Sequence, residues 1–204
     1  MVKKKISSGS WTFGKNIPLS FDDHIKRSIP GYDVSLNLIT ELSTYFLTDN
    51  SICYDVGFST GKLISNIYEI NKGKKIKLIG VEPEKKMVNF FKKTKIYRKS
   101  NNIKIINKNI ENIRIENCDL IISHYTLQFI RQNLRIEILK KFYDNLNLGG
   151  AFIFFEKVHG NNSRFEKIFS DLLTDFKLKN NFSDEEIVNK NKAIRGVLNP
   201  LSIN

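Results

Sequence analysis

Between residues 51 and 157 the chain alternates short apolar runs with longer amphipathic ones, and this rhythm restricts the fold more than any other feature. The runs ICYDVG, KIKLIGVE, IKIIN, CDLIISH and GGAFIFFEKV have strand length and are nearly continuous in apolar residues. Between them, KLISNIYEI, EKKMVNFFKK and RQNLRIEILKKFYDNL space their apolar residues three and four apart, as one face of a helix requires. Strands that are apolar on both sides must be covered on both faces, and strand-helix-strand repetition supplies that cover through parallel crossovers. The pattern predicts an α/β fold with a mainly parallel sheet and helices on both faces.

Upstream, FDDHIKRSIPGYDVSLNLITELSTYFL has helical spacing. Ser20 is placed to cap a first helix broken at Pro30-Gly31, and Asp33 to cap a second carrying Leu36, Ile39, Leu42 and Phe46 on one side. Downstream, RFEKIFSDLLTDFKL reads as a further helix, and NKAIRGVLNPLSIN runs from a helix into a proline turn. A length of 204 residues suits one domain. It divides into an N-terminal helical cap (1–50), a sheet core (51–160) and C-terminal helices (161–204). No apolar run approaches the roughly 18 to 20 residues that span a bilayer, and MVKKKISSGSW lacks the apolar stretch of a secretory signal, so a cytoplasmic protein with no membrane partner is expected. Cys53 and Cys118 sit inside apolar runs and are expected as buried thiols. No Cys or His pair has ligand spacing, and no metal is expected.

The formal charge of +12 has an uneven distribution. Lysine outnumbers arginine 26 to 7, a bias that codon usage can write at tolerant positions. From Lys72 to Lys108, however, 13 Lys or Arg face only Glu82 and Glu84, a local balance of +11 that compositional bias does not explain. The segment is either a solvated face or a surface for a polyanion such as RNA.

The stretch YDVGFSTG (54–61) lies where a strand ends and a helix begins. Gly57 and Gly61 allow positive φ and close backbone approach, and the helix start offers free amides. The spacing is not the G-x-G-x-x-G of a dinucleotide site. Asp55, just before the loop, would repel a pyrophosphate and suits a ligand with an ammonium group. That points to S-adenosylmethionine, whose sulfonium and amino-acid tail are cationic. Glu82 ends the second strand about 20 residues further on, where an acid accepts both ribose hydroxyls. Its alternative role is an acid near the start of the helix after Pro83.

With these residues in place the chain resembles class I S-adenosylmethionine-dependent methyltransferases, and more narrowly the carboxy-S-adenosylmethionine synthases, which act in the pathway to 5-oxyacetyl uridine at the tRNA wobble position. The resemblance runs from Trp11 to about Val197 and rests on FDDHIKRSIPGY (21–32), YDVGFSTG (54–61), YTLQFI (125–130), GGAFIFFEK (149–157) and DFKLKNNFSDEEI (175–187). It implies a Rossmann-like fold, S-adenosylmethionine or S-adenosylhomocysteine as cofactor, and a small-molecule substrate or tRNA as partner; separately, the open sheet edge beside AFIFF is expected to be covered, in a homodimer or by a tight partner. By position the resemblance implies that Tyr32 closes over the ligand and that Gly57, Phe58 and Ser59 hold its amino-acid portion. Glu82 takes the ribose where the family has Asp, Asn109 and Ile110 flank adenine, and His124 replaces a family Asn beside the amino-acid tail.

Asn191 falls where the family has the arginine that pairs with the carboxylate of the modified cofactor. Asn offers no fixed bidentate charge, so ordinary S-adenosylmethionine is expected to be preferred over its carboxy form, with Lys190 and Lys192 as weaker point charges. Methyltransferases of this type finish with a further helix and an antiparallel strand pair, for which nothing after Pro200 suffices. These departures leave a second reading, a non-catalytic relative that binds S-adenosylmethionine or tRNA and acts with a partner. Tyr125, Phe129 and Phe142 are expected in the core, His159 at the surface and His24 in a solvent or capping role. Glu156 and Lys157, at the end of the fifth strand, are further functional candidates.

Overall fold

A computed structural model describes residues 17–202; Trp11, where the resemblance begins, lies outside them. Five strands follow the predicted runs: β1 (Ile52–Val56), β2 (Lys77–Val81), β3 (Ile103–Ile106), β4 (Cys118–His124) and β5 (Leu146–Phe155). They form one sheet in the order β3-β2-β1-β4-β5, and every pairing is parallel. In register, Tyr54 lies between Ile79 of β2 and Ile121 of β4, and Ile122 pairs with Ile153 of β5.

Successive side chains leave a strand on opposite faces, and the core divides accordingly. Cys53, Leu78, Leu120 and Ile122 join a cluster on one face. Tyr54, Val56, Ile79, Val81 and Ile121 join a second cluster on the other. The first face is covered by α2 (Tyr32–Phe46), α3 (Lys62–Ile70) and α4 (Lys85–Phe91), which contribute Leu36, Ile39, Ile64, Ile67, Val88 and Phe91. The second is covered by α6 (Gln132–Asn145) through Ile138 and Phe142, together with a short 3-10 turn at Ile110–Asn112. The short α5 (Lys95–Lys99) leads into β3 and is capped by the Thr94 hydroxyl, which accepts the Tyr97 N–H at 3.3 Å. Cys53 and Cys118 are buried free thiols.

Two caps differ from expectation. The first helix, α1 (Ile17–Ser28), begins three residues before Ser20, which therefore lies within it. The second begins at Tyr32 behind Gly31, whose φ of 69° makes the turn, so Asp33 sits in the first turn and not at the cap. In the second case the break at Pro30-Gly31 sets the boundary and the capping side chain does not.

Helices α1, α7 (Ser163–Lys179) and α8 (Asp184–Ala193) gather over the carboxyl ends of the strands. Arg27 of α1 ties this group together. Its Nε donates to the Asn180 carbonyl at 2.8 Å, Nη2 donates to the Asn181 carbonyl at 3.0 Å, and the guanidinium lies 4.8 Å from the centre of the Phe182 ring. On the second face, Arg135 fastens the C-terminal segment by donating to the Asn199 carbonyl at 2.6 Å. Beyond β5, the described residues add only a single parallel bridge between Val158 and Leu201. No helix among them is long and apolar enough to cross a membrane, and none of their His, Cys, Asp or Glu side chains group as a metal site.

Candidate functional site

Strand order reverses direction at β1, between β2 and β4, and ligands of open α/β sheets bind beyond the strand ends at such a point. A cavity of about 670 Å³ lies there. Its floor is the loop after β1. Gly57 has φ 77° and donates its N–H to the Val81 carbonyl at 2.8 Å, and a Cβ at this position would collide with Thr126. Ser59 is held at φ 53°, a costly left-handed conformation for a residue with a side chain. Its amide donates to Glu82 Oε2 at 2.9 Å, and Glu82 Oε1 accepts the Glu84 N–H at the same distance. Glu82 thus braces the loop and the start of α4 while lining the cavity.

Three buried polar atoms in the described residues have no hydrogen-bond partner in the protein: Asp55 Oδ2, Ser59 Oγ and Gln128 Oε1. All three residues line this one cavity. Buried polar groups are rarely left unpaired, because each costs about 1–3 kcal/mol. Their convergence fits a polar ligand with several hydrogen-bonding groups. Asp55 is 2% exposed, and burial, followed by the nearby Glu82 carboxylate, pushes its pKa up to about 7. A ligand ammonium would restore its charge.

The wall opposite is aromatic. Tyr32 and Tyr125 stack with ring centres 6.1 Å apart, and the His124 ring is tilted against both, 4.8 Å from each. Ser35 Oγ lies 2.9 Å from His124 Nε2. Burial keeps the imidazole neutral, its pKa pulled down to about 4, and raises the Tyr32 hydroxyl. Tyr125 has φ 57° and is fixed by its N–H bond to the Phe155 carbonyl at 2.8 Å. The segment after it is pinned by Glu156, which accepts the amides of Thr126, Leu127 and Gln128 at 2.8, 2.7 and 3.2 Å. Glu156 is therefore a shaping residue with its oxygens engaged.

Of the predicted residues, Tyr32, Asp55, Gly57, Phe58, Ser59, Glu82 and His124 come together around this cavity. Asn109 and Ile110 line a smaller neighbouring one of about 380 Å³, which shares Gly57, Pro83, Thr126 and Phe129 with the first. Gly61 lines neither. It is the residue before α3, with φ 83°, and a Cβ there would strike the Phe91 ring, so its role is packing. Tyr125 and Phe129, expected in the core, are cavity walls instead, whereas Phe142 is buried as expected. His159 is a surface residue, with its ring Nδ1 3.6 Å from a Glu166 oxygen.

Sequence reasoning offered Lys157 and Lys190 on the cationic side of the cavity but missed Lys177 and the place of His24. His24 is a lining residue: its Nε2 lies 2.8 Å from Lys190 Nζ and its ring meets Phe182 edge-on. Lys190 and Lys177 project into the same wall, and Lys157 stands near them. Burial, then the Lys177 ammonium, pulls the pKa of Lys190 down to about 8. Lys177 is lowered by burial and then by Lys157. The proximity of Lys190 to Asn191 was the one available signal.

Comparison with known proteins agrees with this geometry. Residues 53–150 match the family profile described as a methyltransferase domain. The carboxy-S-adenosyl-L-methionine synthase of Staphylococcus epidermidis is 34% identical over 194 residues, covering 95% of this chain and 83% of its own length. That of Campylobacter lari is 33% identical over 100% of this chain and 86% of its own length. The solved plantazolicin methyltransferase in complex with SAH superposes with a TM-score of 0.61, at 15% identity, over 87% of this chain and 62% of that one. A mycolic acid cyclopropane synthase complexed with SAH gives 0.53, at 14% identity, over 67% and 50%. Fold and site define a class I S-adenosylmethionine-dependent transferase of the methyltransferase type, an enzyme that binds S-adenosylmethionine. Within that class, the chain belongs to the carboxy-S-adenosyl-L-methionine synthase family.

Proposed function

We propose that this chain makes the carboxylated form of S-adenosylmethionine from a small-molecule carboxyl donor, in the service of tRNA modification. The observation that carries the binding site is the convergence of three unpaired buried polar atoms on one cavity floored by the glycine loop. In this reading Asp55, Ser59 and Gln128 take polar groups of the amino-acid portion, Glu82 the ribose, and Asn109 with Ile110 the adenine. Tyr32 and His124 form the wall beside the sulfonium. When bound, the cofactor would supply a methyl C–H made acidic by the positive sulfur. The carboxyl group would take the place of that hydrogen, the donor's bond to its carboxyl group would break, and the proton would pass to the donor fragment left behind, while the chain orients both molecules and excludes water.

The lysine wall revises what Asn191 alone suggested. Lys157, Lys177 and Lys190 crowd like charges at a partly buried site, which an anion relieves, so the carboxylated form is the better ligand even without a guanidinium. We read the chain as one domain in which residues 1–50 and 161–204 cap the sheet core. It functions in the cytoplasm as a homodimer, supported by its buried free thiols and by an apolar stripe on α7. Mass spectrometry of the denatured protein should identify S-adenosylhomocysteine or the carboxylated cofactor. Calorimetry should show that Gly57→Arg, which fills the loop's cradle, abolishes binding of both; equal binding by wild type and variant would overturn the site.

A further inference from the structure

The net charge is confined to one segment of the chain. Residues 1–71 balance at zero and residues 109–204 at +1, so nearly the whole +12 resides between 72 and 108. The topology places that segment at the β3 edge of the sheet. Helix α4 turns Met87, Val88 and Phe91 inward and α5 packs Ile96 and Tyr97 on the same cluster. Lys85, Lys86, Lys92, Lys93, Lys99 and Lys104 are consequently exposed. Among the described residues, no salt bridge engages a basic side chain between 85 and 108. Of the two acids in the segment, Glu82 is buried in the site, leaving Glu84 beside it.

Apolar exposure has the opposite distribution. Large apolar side chains stand exposed on α1 and α2, at Ile70 and from Ile136 to Val188, and none does so between 71 and 135. Protein interfaces are built around apolar and aromatic anchors and are depleted in lysine, so this face does not suit a protein partner. It also presents only short helices, of seven and five residues, with no protruding element to enter a duplex major groove. A lysine-rich, apolar-free surface fits a phosphodiester backbone recognised by charge and shape.

We propose that the β3 edge, with α4 and α5, is an RNA-docking face independent of the cofactor cavity. It deepens the functional reading by giving the RNA client a surface, but it does not require that catalysis be as described. The test is fluorescence-polarisation binding of bulk tRNA between 50 and 300 mM KCl, with a DNA duplex and anionic phospholipid vesicles as competitors. The variant Lys85→Glu/Lys86→Glu/Lys92→Glu/Lys93→Glu is compared with Lys140→Glu/Arg164→Glu/Lys179→Glu/Arg195→Glu, which makes the same charge change elsewhere. Wild type should bind tRNA with a log-log salt slope of about −3 or steeper, as neutralising four or more phosphates predicts. The first variant should lose at least about 30-fold in affinity and the second less than about 5-fold, while both still bind S-adenosylhomocysteine by calorimetry. Equal losses in the two variants, tighter competition by DNA or vesicles, or no binding at 50 mM KCl would each overturn the proposal. If the four-site variant does not fold, Lys92→Glu/Lys93→Glu carries the same comparison. Failure of RNA binding with cofactor binding intact counts against the face alone.

Discussion

Asp55 is the residue on which the site's electrostatics turn. Its folded pKa of about 7 lies above the ordinary aspartate value of 3.8, so between those values the free folded protein holds a proton there that the unfolded chain has released. Its contribution to stability is present below pH 4 and lost as pH rises toward 7. Binding runs the other way, because a ligand ammonium selects the ionised carboxylate. Affinity for S-adenosylhomocysteine should rise about tenfold from pH 6 to pH 8. Asp55→Asn should flatten this profile, weaken binding by about 10- to 100-fold, and melt no lower than wild type at pH 8; calorimetry and thermal melts at both pH values check it. On the other wall, Lys190→Met should selectively weaken the carboxylated cofactor by at least about tenfold in competition binding and leave S-adenosylhomocysteine within about threefold. Both carboxylates at the strand ends were legible because glycine punctuation and strand length locate them. The lysine wall was legible only in part, at Lys157 and Lys190; Lys177 comes from a helix after the sheet, and only tertiary folding around Arg27 brings it to the cavity.

At the scale of elements, the five strands and most helices could be read from periodicity, since burial on both faces imposes it. What escaped was the segment from Tyr125 to Ile130. Its sequence, YTLQFI, resembles core packing, yet a left-handed Tyr125 and three amides bound to Glu156 bend it into a cavity wall. No local pattern reports a carboxylate arriving from β5, 26 or more residues downstream. The strain at Tyr125 depends on that carboxylate. Glu156→Ala should cost about 2 kcal/mol or more in denaturant unfolding, because it leaves buried amides without acceptors. It should also weaken S-adenosylhomocysteine by loosening Gln128 and Tyr125. Glu156→Gln should recover only part of the loss, since a single amide oxygen replaces two charged acceptors. A Glu156→Ala variant with wild-type stability would show that the loop is held by other means.

Considered as a whole, the molecule has two unlike ends. At the β5 end, Phe154 of the edge strand is 49% exposed, and α7, the helix that follows this strand in the chain, leaves Phe165, Phe169 and Leu172 49%, 49% and 60% exposed. Burying such a stripe favours association, and Phe169→Glu/Leu172→Glu should convert a dimer to a monomer in light scattering without lowering the melting temperature by more than a few degrees. At the β3 end lies the basic edge. Strands spaced about 4.8 Å apart put the two ends of one five-stranded sheet roughly 20 Å apart. A dimer joined at its β5 ends therefore carries its two basic edges on its far flanks, separated by about twice that distance plus the joint. Such a particle is bivalent toward a long polyanion. The second contact is made at the high effective concentration set by the first, so avidity, and with it residence time on RNA, should collapse on dilution to monomers even though no residue of either basic edge has changed.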